Sequence, residues 1–165
     1  MKTETGEYIV GAYLQHFCDC GFVQYNVRRP GGKREGQNEH DVVGLNLKNH
    51  KACLCEVATH IRGLNYGGGN ADTVARVKEK MNAQKQYAAD RLPGFEPRFM
   101  FWSPVVMPAV LEELRSMEGE GVELWVNGRY KDAVETIRKI AKNECHDMGN
   151  PFIRALQILE HLRSD

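Results

Sequence analysis

Apolar and polar positions alternate along this chain in several distinct rhythms, and each rhythm predicts a kind of element. Ile9, Tyr13 and Phe17 recur at the spacing of one helical face. Thr5 is therefore expected to cap a helix from about Gly6 to Cys20, which Gly21 stops. Phe22-Val23-Gln24-Tyr25-Asn26-Val27 is short and β-rich and predicts a first strand, and Arg29 to Gly36 carries the Pro-Gly-Gly signal of a loop. From His40 to Leu47 the pattern has period two, with Asp41, Val43, Leu45 and Leu47 on one face of a second strand. After the polar turn Lys48-Asn49-His50-Lys51, the run Ala52 to Thr59 is almost wholly apolar and predicts a central third strand. Ala52, Leu54, Glu56 and Ala58 share one of its faces.

Gly63 to Asn70 is a glycine-rich loop ahead of a helix from Asp72 to Leu92, whose inward stripe is Val74, Val77, Met81, Ala88 and Leu92. A phosphate cradle at that helix start would need the Lys-Ser/Thr of a P-loop, which is absent. Arg98 to Ser103 predicts a buried fourth strand whose aromatics belong to the core, followed by a helix from about Pro108 to Met117. Val122 to Asn127, bounded by glycines, predicts a fifth strand. Two helices close the chain, Arg129 to Lys142 and Pro151 to Leu162, the second capped by Asn150. Three strands close together and two more alternating with helices predict an α/β fold: a mixed sheet of about five strands flanked by helices on both faces.

With 165 residues, 42% of them hydrophobic, the chain can bury one sizeable core, so residues 1–165 are expected to form a single domain. No stretch is long and apolar enough to cross a membrane. Met1-Lys2-Thr3-Glu4 lacks the apolar run of a secretory signal, so the expectation is a cytoplasmic protein. The five cysteines are an odd number and four of them lie inside apolar elements, as free thiols do. The two C-x-C pairs near His16 and His60 lack the C-x2-C knuckle spacing of structural zinc sites. Formal net charge is zero, which removes any global electrostatic signature of a nucleic-acid binder. Basic residues do cluster locally, at Arg28, Arg29, Lys33 and Arg34, and again at Arg76, Lys78, Lys80 and Lys85.

Glu56 breaks the run Ala52-Cys53-Leu54-Cys55-Glu56-Val57-Ala58. A carboxylate in such a setting needs compensation worth several kcal/mol, on the order expected for a buried charge. Two kinds of partner are open. One is a structural ion pair with an arginine, Arg28 or Arg62. The other is a hard divalent cation shared with Asp41, because Mg²⁺ takes oxygen ligands from one or two carboxylates.

Asn38-Glu39-His40-Asp41-Val42-Val43-Gly44-Leu45-Asn46, followed by Cys55-Glu56-Val57-Ala58-Thr59, resembles the core of the PD-(D/E)XK nuclease superfamily, which includes many restriction enzymes and the archaeal Holliday-junction resolvases. The resemblance spans roughly residues 5 to 92. It implies a restriction-endonuclease-like three-layer core with extra C-terminal helices, and a Mg²⁺-dependent (or Mn²⁺-dependent) nuclease acting on phosphodiester bonds, with DNA favoured as partner. Asp41, Glu56 and the carbonyl of Val57 would hold the metal. Glu7, in Gly6-Glu7, stands where resolvase-like members carry a further acid, although a glutamate in the first turn of a helix is also favoured by the helix dipole. Gln84-Lys85-Gln86-Tyr87 is similar to the Gln-x-x-Tyr helix signature of exonuclease-like members. Arg28, Arg29, Lys33, Arg34 and Gln84 would contact nucleic acid.

The chain departs from the family where Glu-x-Lys becomes Glu56-Val57-Ala58. The resemblance implies a lysine supplied from elsewhere, with Lys85 first and Lys78 or Lys51 as further candidates, and His60 as a possible proton acceptor. The alternative is a catalytically inactive module on the same fold that binds nucleic acid or a partner. Many relatives pair as homodimers, and Phe152, Leu156, Leu159 and Leu162 offer an apolar helix face. Packing on the chain's own sheet is the expected use of that face.

Overall fold

A capping box starts helix α1 (Thr5–Phe17): the Glu4 side chain accepts from the backbone at Glu7, and the Glu7 carboxylate accepts from the Glu4 N–H at 3.2 Å. Glu4, not Thr5, is thus the cap. The helix ends three residues short of Cys20, because the Cys18 N–H closes onto Leu14 and Asp19 turns into the left-handed region at φ 51°. The computed structural model describes residues 2–28 and 39–163. Within these, α1 is buried on most of its circumference, with Val10, Ala12 and Leu14 fully enclosed. The expected stripe of Ile9, Tyr13 and Phe17 follows the edge of that surface, and Phe17 is 38% exposed.

The sheet follows the chain in order: β1 (Phe22–Arg28), β2 (Glu39–Asn46), β3 (Lys51–Val57), β4 (Glu96–Ser103) and β5 (Val122–Val126) lie side by side as β1-β2-β3-β4-β5. The first two pairings are antiparallel and the last two parallel, which makes this the expected mixed sheet. Short links suffice for the antiparallel meander, whereas each parallel step needs a crossover. Helix α2 (Asn70–Arg91) supplies the first, and α3 (Pro108–Leu114) with a 3₁₀ turn (Arg115–Glu120) supplies the second.

The two faces of the sheet hold separate cores. On one, Val42, Cys55, Trp102 and Trp125 pack against α1 and α4 (Gly128–Asn143). The Trp102 and Trp125 rings stack at 4.6 Å. On the other face, Phe101 and Leu124 meet Val77 and Met81 of α2 and Leu114 of α3. Phe101 and Trp102 have no exposed surface, so the aromatic run of β4 is core on both sides, as expected.

Helix α5 (Pro151–Leu162) starts as the sequence predicts, with the Asn150 side chain accepting from Phe152 N at 2.9 Å. The helix packs on α4 and α1 rather than on the sheet. Its seat uses Ile153, Phe152 and Leu156, and leaves Leu159 and Leu162 more than half exposed. The sheet is not its partner because α1 and α4 already cover that face. All five cysteines are free thiols. Among the described residues no helix is long and apolar enough to cross a membrane.

One close approach fixes α1 on the sheet. A Cβ at Gly11 would lie 2.1 Å from the Tyr25 hydroxyl and 2.7 Å from its ring. Gly11→Ala is therefore expected to destabilise the fold by about 1–3 kcal/mol, the usual cost of overpacking, read as a lowered thermal midpoint.

Candidate active site

Three elements bring acids to one place. The β2–β3 ladder ends at Val42 opposite Cys55, and one residue further on Asp41 stands beside Glu56. There a side chain replaces the backbone partner: Asp41 Oδ2 accepts from Val57 N–H at 2.7 Å. The Ala58 N–H points the other way, to Trp102 O at 2.9 Å. By strand alternation, the Val57 carbonyl then faces the Asp41 side. Glu56 is 1% exposed, and the neighbouring Asp41 charge acts directly on its carboxyl.

Glu7 reaches the same edge from the start of α1. Besides the Glu4 N–H, its Oε2 accepts from Asn26 Nδ2 at 2.9 Å. Asn26 holds a left-handed backbone, φ 53°, within β1. Such a conformation is costly in a strand and is held here by surrounding contacts. Glu7 is thus both the closing residue of the capping box and a wall of the site.

Lys80, near the middle of α2, supplies the cation. Its ammonium donates to Glu56 Oε1 and lies 5.6 Å from the centroid of the Tyr66 ring, within cation–π range. Asp41, Glu7 and Lys80 line an open cleft of about 570 Å³, together with Glu39, His60 and Tyr66. Glu56 lies beneath Lys80.

The electrostatics follow from this crowding of acids. Burial, and next the charge of Asp41, push the Glu56 carboxyl up to about 8 against the pull of Lys80. Burial raises Asp41 as well, opposed by Lys80 and the Val57 N–H. Burial also pushes Glu7 up to about 7, with the Glu4 N–H opposing it and Asp41 adding to it. Burial works against the Lys80 charge, but Glu56, Tyr66 and Asp41 outweigh it and hold the ammonium above its usual value. Asp41 and Glu56 therefore each hold a proton more tightly than a free carboxyl does.

A carboxyl whose native pKa exceeds its unfolded one binds its proton better in the folded state. The stability it contributes is complete below the unfolded value near 4.5 and is lost as pH rises through the native value. Metal-free protein is therefore expected to lose stability steadily from about pH 5 to 8. Glu7→Gln should flatten the part of that decline below about pH 7, which thermal melts across the range would read.

No protein-family model matches the chain, and no curated protein or solved structure matches it. The site rests on its own geometry.

That geometry brings Asp41, Glu56, Val57 and Glu7 together and leaves other expected residues elsewhere. Lys85 lies on the opposite flank of α2, where its ammonium meets Glu120 at 3.5 Å. Lys51 meets Glu96 at 3.8 Å. The lysine at the carboxyl pair is Lys80. Gln84 is fully buried, and among the described residues its amide has no hydrogen-bond partner. It faces the interior rather than a surface that nucleic acid could touch, while its neighbour Tyr87 packs on His40 at 4.4 Å. Arg28 pairs with Glu39 at 3.8 Å, at the border of the cleft. Arg29, Lys33 and Arg34 lie outside the described residues.

Lys80, Tyr66 and Asn26 are the residues that sequence reasoning misses. For Lys80 a signal exists: it comes one residue before Met81 on the inward stripe and 24 after Glu56, on a helix that runs back past the end of β3.

Among the described residues no group of three or more His, Cys, Asp or Glu side chains is placed to hold a metal ion. A Mg²⁺ site needs fewer, since one or two carboxylates commonly suffice, the remaining positions going to water and phosphate. The donor chemistry here fits that requirement: two carboxyls side by side at the end of the β2–β3 ladder, a backbone carbonyl facing the same side, and an acid-rich cleft.

Proposed function

We propose that the chain is a Mg²⁺-dependent or Mn²⁺-dependent nuclease, with DNA the favoured substrate, built on a restriction-endonuclease-like core. The observation that carries this reading is the convergence of Asp41 and Lys80 in an open cleft, over the buried Glu56 that Lys80 contacts. The element order α1, β1, β2, β3, α2, β4 supports the core assignment, since it repeats the helix, strand, acid-bearing hairpin and helix that the sequence resemblance implies.

Charge supports the cation. Glu4, Glu7, Glu39 and Asp41 all line the cleft, and such a surface repels a phosphodiester unless positive charge is added. Asp41, Glu56 and the Val57 carbonyl would hold the metal, which when bound lowers the pKa of water and neutralises phosphate charge. Lys80 would then stand where it can orient a water or a phosphate oxygen, the role left open by Ala58. Ala58, one residue past the end of β3, and Lys80 of α2 both line the cleft, so a lysine arriving from α2 reaches the same space.

Calorimetric titration with Mn²⁺ checks the metal half of the proposal. One strong site is expected at pH 8 and much weaker binding at pH 5, because a cation competes with the protons on Glu56 and Glu7. Asp41→Asn should remove that site. Equal affinity in wild type and Asp41→Asn would rule out these ligands. The catalytic half is tested by strand scission of a mixed DNA and RNA panel, lost on chelation.

A second reading keeps the fold and drops the chemistry. The Lys80–Glu56 pair and the alanine at position 58 would also suit a module that binds nucleic acid or a partner protein without cutting. It predicts binding to the same panel with no scission in either metal. A pairing of two copies through the exposed side of α5 is compatible with both readings.

A further inference from the structure

Beside the carboxylate cleft lies a second cavity, of about 760 Å³, that phosphodiester hydrolysis does not use. The two share Glu4 and Thr59 as a common wall, so a strand seated in one reaches the other. Gly6 keeps that wall thin: a Cβ there would lie 2.5 Å from Thr59 Cγ2, and its absence lets the start of α1 close against the end of β3.

The two spaces differ in character. Carboxylates and one lysine line the first. The second has a floor of Ile9, Pro104 and Tyr130, with Thr3 and Lys2 among its polar groups and Ile61 on its lip. Ile61 is 81% exposed. Its volume falls in the range of roughly 300–1,000 Å³ typical of small-ligand pockets, and mostly apolar walls with a few polar groups are the usual make-up of such sites.

A nucleobase suits this cavity. Its flat faces bind apolar and aromatic surface whatever the sequence, and its polar edge can meet threonine hydroxyls. Lys2 lines the cavity and Lys80 the neighbouring cleft, so each space has a cation to set against a backbone phosphate, with the Glu4 carboxylate in the wall between them. A base stacked inside a duplex cannot enter a side cavity, whereas an unpaired or extruded one can.

We propose that this cavity receives one unstacked base of the strand whose phosphate lies at Asp41 and Glu56, which makes single strands or unpaired ends, rather than continuous duplex, the substrate class. The proposal rests on the phosphodiester reading of the neighbouring cleft.

Two measurements on the full chain test it. In the first, deoxynucleoside 5′-monophosphates are titrated into isotope-labelled protein and followed by NMR. Shifts at Thr59, Ile61 and Tyr130 are expected, with affinity reduced roughly tenfold, the scale of one lost base contact, in Ile61→Asn. In the second, a single strand and its duplex are compared as cleavage substrates. The single strand should be cut at least tenfold faster, and Ile61→Asn should erode that preference through KM while leaving Mn²⁺ affinity and the thermal midpoint unchanged. Shifts confined to the carboxylate cleft, or equal cutting of single strand and duplex, would overturn the proposal. Monophosphate binding at Ile61 and Thr59 with no cleavage of any substrate would uphold the base cavity and sink the hydrolytic reading.

Discussion

Glu56→Gln is expected to abolish metal-dependent cleavage, by a factor on the order of a thousand, while leaving the protein folded. The activity loss follows from removing one of two carboxylates available to a cation, and a thousandfold is the scale of deleting one charge-stabilising group from a water-poor site. Stability behaves differently. Glu56 is almost fully buried, and its carboxyl, pushed up to about 8, is already protonated through much of the neutral range. Glutamine copies that neutral form. The fold of the metal-free variant should therefore lose less stability than wild type as pH rises from 7 to 9, because the Glu56 carboxyl is no longer there to ionise. Thermal melts at the two pH values, beside cleavage assays at one, separate the two effects. A variant that melts far below wild type at every pH would mean that Glu56 is chiefly the anchor of an ion pair.

Lys80→Ala is expected to lose cleavage by about a hundredfold and to cost stability as well. Removing one partner of a buried pair typically costs about 3–5 kcal/mol. The lower end applies here, because the uncovered Glu56 and Asp41 carboxyls can take up protons instead of remaining charged. The destabilisation should accordingly be larger at pH 8 than at pH 5. Ala58→Lys in the same background returns an ammonium to the cleft that Ala58 lines. Partial recovery of cleavage is the expected outcome, measured as kcat on one labelled oligonucleotide. Recovery of stability without any recovery of kcat would make Lys80 a purely structural counter-ion.

The acids are legible in the sequence and the lysine is not, for a physical reason. Strand alternation has a period of two, so the residue pattern gives each acid a face of its own strand, and the register that sets Val42 opposite Cys55 brings those two faces together. A helix offers two flanks beside its buried stripe, and nothing local says which flank faces which strand. Lys80 and Lys85 lie on opposite flanks of α2. The sheet order decides between them: β2 and its Asp41 lie on one side of β3, and β5 with the 3₁₀ turn that carries Glu120 on the other. Lys85 therefore meets Glu120, and Lys80 meets Glu56.

Element boundaries are legible where capping chemistry is strong, as at Asn150 and Pro151. They are less so at the end of α1, where a left-handed turn at Asp19 ends the helix before the glycine can. Asn26 reads as an ordinary strand residue; only its positive φ and its bond to Glu7 reveal that it shapes the site. The seat of α5 departs from the expected one because an amphipathic stripe says that a partner exists without saying which one. α1 and α4, not the sheet, are nearest in space. The cavity beside the cleft is assembled from α1, the segment after β3 and Tyr130 of α4, and no single stretch of sequence announces it.

The most direct test of the metal-centred site is strand cleavage by purified protein on a mixed panel of labelled DNA and RNA, with Mg²⁺, with Mn²⁺ and with chelator, run in parallel on wild type and Glu56→Ala. The expected result is scission by wild type that requires the metal and disappears in the variant. Equal scission by the two proteins, or none by either, would contradict it.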